Sequence, residues 1–311
     1  MAPAPAPIMT KAIGDTPVVK LSSLTGPDDD DVFVKLESFN PTGSYKDRMA
    51  LAMIEEAEAR GDLQPGMTVV EYTGGSTGSS LAFVCAVKGY RFRVVSSDAF
   101  TMEKLDTMRA FGADVTVIPS HGRGITRELI DAMIATAAEI AAVPGTYATD
   151  QFNNRDALVG YRRVGDELID QFPDGIDSFC AAVGVGGLAM GVGMAFRDAG
   201  RPTRMVILEP SESPVLSTGE SGAHHVEGIG VGFRPPLLDD SLYHEIRAIP
   251  QDRGRETARN LAAREGILSG WSTGLNVTAA LDLAGELGQG HTVVTVAVDS
   301  GLKYLSGTLY R

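Results

Sequence analysis

The sequence predicts an α/β protein with open, mostly parallel sheets flanked by helices. Short β-branched runs alternate with stretches of helical period along most of the chain. Several of those helical stretches stop at a glycine, and 36 glycines in 311 residues suit many tight strand-to-helix turns. Alternation of this kind means right-handed crossovers between parallel strands, and ligands on such sheets sit at the carboxyl ends of strands.

In chain order the strands are read as VFVKLE, TVVEY, FRVVSS, DVTVIP, SFCAAV, RMVILEP, EIRAIP and TVVTVAV. Between them DRMALAMIEEAEARG, MEKLDTMRAFG, ITRELIDAMIATAAEIAA and RETARNLAAREG carry helical period. No internal repeat is present. The opening MAPAPAPIMTKAIGDTP alternates Ala and Pro as a flexible tail does, without the basic start and long apolar run of a secretory signal. The pattern is interrupted over PGTYATDQFNNRD, Pro144 to Asp156, which reads as a domain boundary.

A chain of this length can form two domains, and 43% hydrophobic with 22% charged residues is a globular composition. The formal charge of -13 argues against nucleic acid and anionic membrane surfaces as partners, since both would repel it. No apolar run is long enough to span a bilayer. Cys85 and Cys180 lie within the apolar runs LAFVCAV and SFCAAV and are read as buried core thiols. The five histidines show no metal-ligand spacing, so no metal is expected. The cytoplasm is the expected compartment.

Four polar turns stand out from this framework. NPTGSYKDR puts Lys46 after a Pro-Thr-Gly-Ser turn at a helix start; taken alone, it is a solvated first-turn lysine. EYTGGSTGSS continues the strand TVVEY and places the hydroxyls of Thr73, Ser76, Thr77 and Ser79 where a helix begins. A helix start suits a carboxylate or phosphate, and the doubled glycines and hydroxyls exceed what a cap needs. VGVGGLAMGVG, directly after SFCAAV, suits a phosphate smaller than a dinucleotide, because no ribose-binding acid is clearly placed about twenty residues on. GWSTG opens a further long helix and by itself is a cap.

Together these motifs resemble those of pyridoxal-phosphate (PLP) enzymes of fold type II, in the group of cysteine synthases and cystathionine β-synthases. The resemblance runs from IGDTPVVKL to DSGLKYLSGTLY, nearly the whole chain. It implies two domains, each an open sheet flanked by helices, with PLP in the cleft between them. Behind a flexible tail over residues 1–10, residues 11–46 and 153–311 would form the larger, PLP-binding domain. Residues 47–152 would form the smaller, mobile substrate-loop domain. By the same resemblance Lys46 forms the Schiff base, while Asp47 and Arg48 tie the helix start in place. Gly184, Val185, Gly186, Gly187 and Leu188 hold the phosphate, and Ser272 faces the pyridine nitrogen. Ser76 stands where an asparagine of the family meets the PLP 3′ oxygen. Thr73, Gly74, Gly75, Ser76, Thr77, Gln151 and Gly228 bind the substrate. The implied activity is β-replacement on an O-activated L-serine through an aminoacrylate, giving cysteine or a β-substituted alanine, and the implied assembly is a homodimer.

The chain departs from the family pattern in places. Gly74 replaces a serine, Ser76 the asparagine, Glu227 a glutamine, and Val185 and Leu188 two threonines. The segment after Gln151 also differs, which leaves a thiol or amine open beside sulfide as the nucleophile. GVGGL leans toward a serine or threonine ammonia-lyase and HHVEGIGVGF back toward cysteine synthases. A catalytically silent, PLP-binding partner protein is the reading of a different class, against which Lys46 and Ser272 both count.

Overall fold

The computed structural model describes residues 8–26, 31–122 and 124–311. Residues 1–7 of the expected tail lie outside them. In the first half of the chain come β1 (Val18–Lys20), β2 (Asp31–Leu36), α1 (Lys46–Arg60), β3 (Thr68–Tyr72), α2 (Ser76–Lys88) and β4 (Arg91–Ser97). These are followed by α3 (Met102–Ala110), β5 (Asp114–Ile118), α4 (Arg127–Ala141), β6 (Thr146–Ala148) and α5 (Asp156–Gln171). The second half adds β7 (Ser178–Ala182), α6 (Gly187–Asp198), β8 (Arg204–Pro210), α7 (Val215–Thr218) and β9 (Glu245–Ile249). It closes with α8 (Gln251–Asn260), α9 (Trp271–Leu287) and β10 (Thr292–Ala297). All eight expected strands are present. Not expected were β1 and β6, which at three residues each are too short to show alternation, the four-residue α7, and α5, which contains the poor helix formers Gly160 and Gly165. The helix expected to start at Arg255 begins at Gln251 instead, and its last turn, Leu261–Glu265, is a π-helix.

The chain divides into two compact units. One comprises residues 1–13 and 40–157, the other residues 14–39 and 158–311. In the first unit four parallel strands stand in the order β5-β4-β3-β6. Helix α4 covers this sheet with a stripe of Leu129, Met133, Ala137 and Ile140, packed with Val70 and Val95. That spacing keeps one face of the helix on the core. Thr126 caps its start by accepting from the Leu129 N–H.

In the second unit six strands stand in the order β1-β2-β10-β7-β8-β9, with β1 antiparallel and the others parallel. Helix α9 is buried along most of its length, with Leu275, Val277, Ala279, Ala280 and Leu283 in the core. Its one buried amide, Asn276, has a specific task. Strands β10 and β7 pair only at Val293–Ser178 and Val294–Phe179. Beyond that point side chains replace the ladder: Asn276 Oδ1 accepts from the Ala182 N–H, and its Nδ2 donates to the Val296 carbonyl, each at 2.8 Å. The Thr295 hydroxyl donates to the Cys180 carbonyl. Asn276 thereby ties the first turns of α9 to the carboxyl ends of both strands. Asn276→Leu should strand one buried N–H and one buried carbonyl, at about 1–3 kcal/mol each, read as a lowered denaturation midpoint.

Candidate active site

Lys46 opens α1 and is not solvated. It is only 7% exposed, and its Nζ lies 4.7 Å from the centroid of the Tyr45 ring. Its own N–H donates to the Ser44 hydroxyl. The carboxylate of Asp47 accepts from both the N–H and the hydroxyl of Thr42, which fixes the Pro-Thr-Gly-Ser turn against the first helical turn. Asp47 is thus structural, as the sequence suggests.

The second element runs from β3 into α2. Thr73, Ser76 and Thr77 are all buried. Gly75 donates its N–H to the Thr73 hydroxyl oxygen, and the Thr77 hydroxyl donates to Gln151 Oε1 at 2.8 Å. A threonine has one hydroxyl proton, so with Thr77 bonded this way its hydroxyl proton is not available to a carboxylate. The Thr77 N–H, in the first turn of α2, has no intrahelical acceptor. Gly74 is fixed by packing: a Cβ there would fall 2.0 Å from Cγ of Phe100. The phenyl ring fills the space a serine side chain would need.

Beneath this loop lies Glu71, 3% exposed on β3. Its Oε2 accepts from the Thr149 hydroxyl at 2.7 Å and the Gln151 N–H at 3.0 Å, and its Oε1 from the Tyr72 N–H at 3.0 Å. Burial pushes its carboxyl up to about 7 against those hydrogen bonds, and the charge of Asp150 adds to the rise. Burial likewise pushes the thiols of Cys85 and Cys180 up to about 12; both are free and buried, as read from the sequence.

The third element joins β7 to α6 in the second unit. Gly186 holds φ +85°, a left-handed conformation that a side chain strongly disfavours, and α6 begins at the next residue. A left-handed residue leading into a helix turns successive N–H groups toward one point, the geometry of an anion nest. Val185 and Leu188 are buried and offer no hydroxyl to this turn, which leaves its backbone N–H groups as the loop's own donors. Gly184 packs on the carbonyl of Gly228, which a Cβ would approach to 2.2 Å. The segment carrying Gly228 is pinned by His224, whose Nδ1 accepts from the Val226 N–H. Its Nε2 therefore bears the proton and donates to the Gly230 carbonyl at 3.0 Å.

Ser272 stands in the first turn of α9, 6% exposed, and its hydroxyl makes no hydrogen bond among the described residues. Its neighbour Thr273 accepts from the Val298 N–H and is structural. These residues suit PLP: a buried lysine, an anion nest without side-chain obstruction and an unpartnered neutral hydroxyl match its aldehyde, phosphate and ring nitrogen. Of the expected residues, Thr77 meets Gln151 in the first unit and Gly184 meets Gly228 in the second; Glu71, Phe100, His224 and Asn276 were not singled out in the sequence. Of these only Glu71 leaves a trace there, as an acid within an otherwise apolar strand.

The chain matches the family of pyridoxal-phosphate dependent enzymes over residues 9–299 and belongs to it. Among curated relatives, the cysteine synthase of Staphylococcus aureus (strain Mu50 / ATCC 700699) is 42% identical over 100% of this chain and 99% of that protein. The O-ureido-L-serine synthase of Streptomyces lavendulae is 38% identical over 96% of this chain and 90% of that protein. Among solved structures, one of O-ureido-L-serine synthase superposes with a TM-score of 0.92 at 35% identity, covering 99% of this chain and 96% of that one.

Two outcomes are expected. Gly74→Ser should destabilise the protein by about 1–3 kcal/mol through overpacking, and Phe100→Ala in the same chain should relieve most of it, read as a double-mutant cycle of denaturation midpoints. For Glu71 the folded pKa lies above the unfolded one, so the folded state holds more protons between pH 4.5 and about 7. Its contribution to stability therefore falls as pH rises through that window. The melting-temperature difference between wild type and Glu71→Gln should change across that interval and be flat above it.

Proposed function

We propose that this chain catalyses β-replacement on an O-activated L-serine, such as O-acetyl-L-serine, giving L-cysteine or another β-substituted alanine. The observation that carries this reading is likeness over nearly the full length to a cysteine synthase and an O-ureido-L-serine synthase. Both names denote amino acids with a heteroatom on the β carbon. The nucleophile is sulfide, a thiol or an amine. We further propose a homodimer acting in the cytoplasm; among the described residues no helix is long and apolar enough to cross a membrane.

When bound, PLP supplies an electron sink that makes the α-proton of an amino acid labile and lets a β-substituent depart. Lys46 would be linked to it, and on exchange with the substrate amine its Nζ would take up and return the α-proton. The N–H groups of Gly184 to Leu188 would hold the phosphate. Ser272 would face the ring nitrogen; a neutral hydroxyl does not enforce protonation there, which keeps the sink moderate and favours β-substituent loss over longer-lived carbanion chemistry. Ser76 would meet the 3′ oxygen. The α-carboxylate would lie against Thr73 to Thr77, Gln151 and Gly228, where each charge-assisted hydrogen bond contributes about 1.5–3 kcal/mol.

Borohydride reduction of the PLP-loaded protein, digestion and mass analysis should place the pyridoxyl group on Lys46, and Lys46→Ala should lose the near-visible absorbance of a lysine-linked cofactor. An unmodified Lys46 in a reduced, PLP-bearing protein would contradict the assignment. At Ser272, Ala should slow turnover modestly and Asp, a charge at the ring nitrogen, should slow it much more. Equal rates for Ser, Ala and Asp would remove Ser272 from that position.

A further inference from the structure

Glu71 is a buried carboxylate that none of the roles above uses. Among the described residues it forms no ion pair; its partners are one hydroxyl and two backbone N–H groups. Burying a carboxylate without a cation is costly, and here that cost accompanies three donors gathered onto one side chain. What it holds is the segment that leaves β6. The Thr149 N–H extends the ladder to the Val70 carbonyl. Asp150 then adopts φ +47°, left-handed and unfavourable for a residue with a side chain. That turn brings the Thr149 hydroxyl and the Gln151 N–H to the same oxygen, Oε2. It is braced from outside: Asn153 Nδ2 donates to the Asp150 carboxylate, and Asn154 Nδ2 to the Thr149 carbonyl.

The far side of the same segment is Gln151. The residue is 6% exposed, with Oε1 accepting from the Thr77 hydroxyl and Nε2 donating to the Tyr72 carbonyl. A continuous path of hydrogen bonds therefore leads from Glu71, through the backbone and then the amide of Gln151, to Thr77 at the start of α2. Resting on the proposed function above, we propose that Glu71 is a positioning residue for the substrate's α-carboxylate, acting through Gln151 and Thr77. A glutamine reproduces this only in part, because its NH₂ would face either the Tyr72 N–H or the pair of donors that now meet Oε2.

The test uses the full-length, PLP-loaded protein and two amines that differ by the carboxylate alone. L-serine and ethanolamine are each titrated while the absorbance of the bound cofactor is followed, for wild type and Glu71→Gln. The expected result is an apparent Kd for L-serine raised about tenfold in the variant, with that for ethanolamine changed less than about twofold, since one misplaced charge-assisted hydrogen bond is worth about a factor of ten. A purely structural role would shift both amines together or neither, and either result would overturn the proposal. Thr149→Val withdraws one donor from the same oxygen and should shift L-serine in the same direction by less; it decides the matter if Glu71→Gln does not fold. A wild type that responds to neither amine would overturn the proposed function itself, an outcome separable from the others.

Discussion

The N–H groups in the first turn of a helix have no acceptor of their own, and both glycine-rich loops depend on that constraint. Each follows the carboxyl end of a parallel strand and ends where a helix starts: β3 into α2, and β7 into α6. At β7 the left-handed Gly186 turns the chain sharply enough that the next residues present their N–H groups together. Because Val185 and Leu188 bring no hydroxyls, an anion held there, as proposed, would be met by the loop's backbone N–H groups and by no side chain of those two residues. Substitution of those side chains within the apolar range therefore leaves the chemistry of the loop intact.

Free N–H groups are useful only if the loops hold still, and in both units a buried polar side chain does the holding. Asn276 spans the point where β7 and β10 stop pairing and fastens the helix that carries Ser272 to the strand that leads to Gly184. Glu71 does the corresponding work beside α2, gathering three donors from two segments. An apolar residue at either place would bury more hydrocarbon and leave backbone groups unpaired. The loss from unpaired groups is the larger effect, since each costs about 1–3 kcal/mol whereas one buried methylene gains about 0.8 kcal/mol.

The order of strands and helices was legible because each long element carries its own period. TVVEY, RMVILEP and TVVTVAV announce themselves, whereas VVK and TYA are strands only because longer neighbours pair with them. The chemistry-bearing turns were legible as short polar motifs at strand ends. Their supports were not. Nothing near Phe100 in sequence indicates that its ring lies on Gly74, and nothing near Asn276 indicates that its amide will replace missing sheet hydrogen bonds. These are tertiary contacts between residues 26 and 94 positions apart, invisible to local pattern. Lys46 illustrates the opposite limit: local pattern alone reads it as solvated, and only the combination of motifs along the chain points to the buried lysine that the structure contains.

The proposed activity turns on whether the α-nitrogen stays with the product. Incubating the PLP-loaded protein with nitrogen-labelled O-acetyl-L-serine and a panel of sulfide, thiols and amines, then following the label by mass spectrometry, separates replacement from elimination. The account predicts that with at least one nucleophile the label remains in a β-substituted alanine. Release of the label as ammonium together with pyruvate, whatever nucleophile is present, would contradict it.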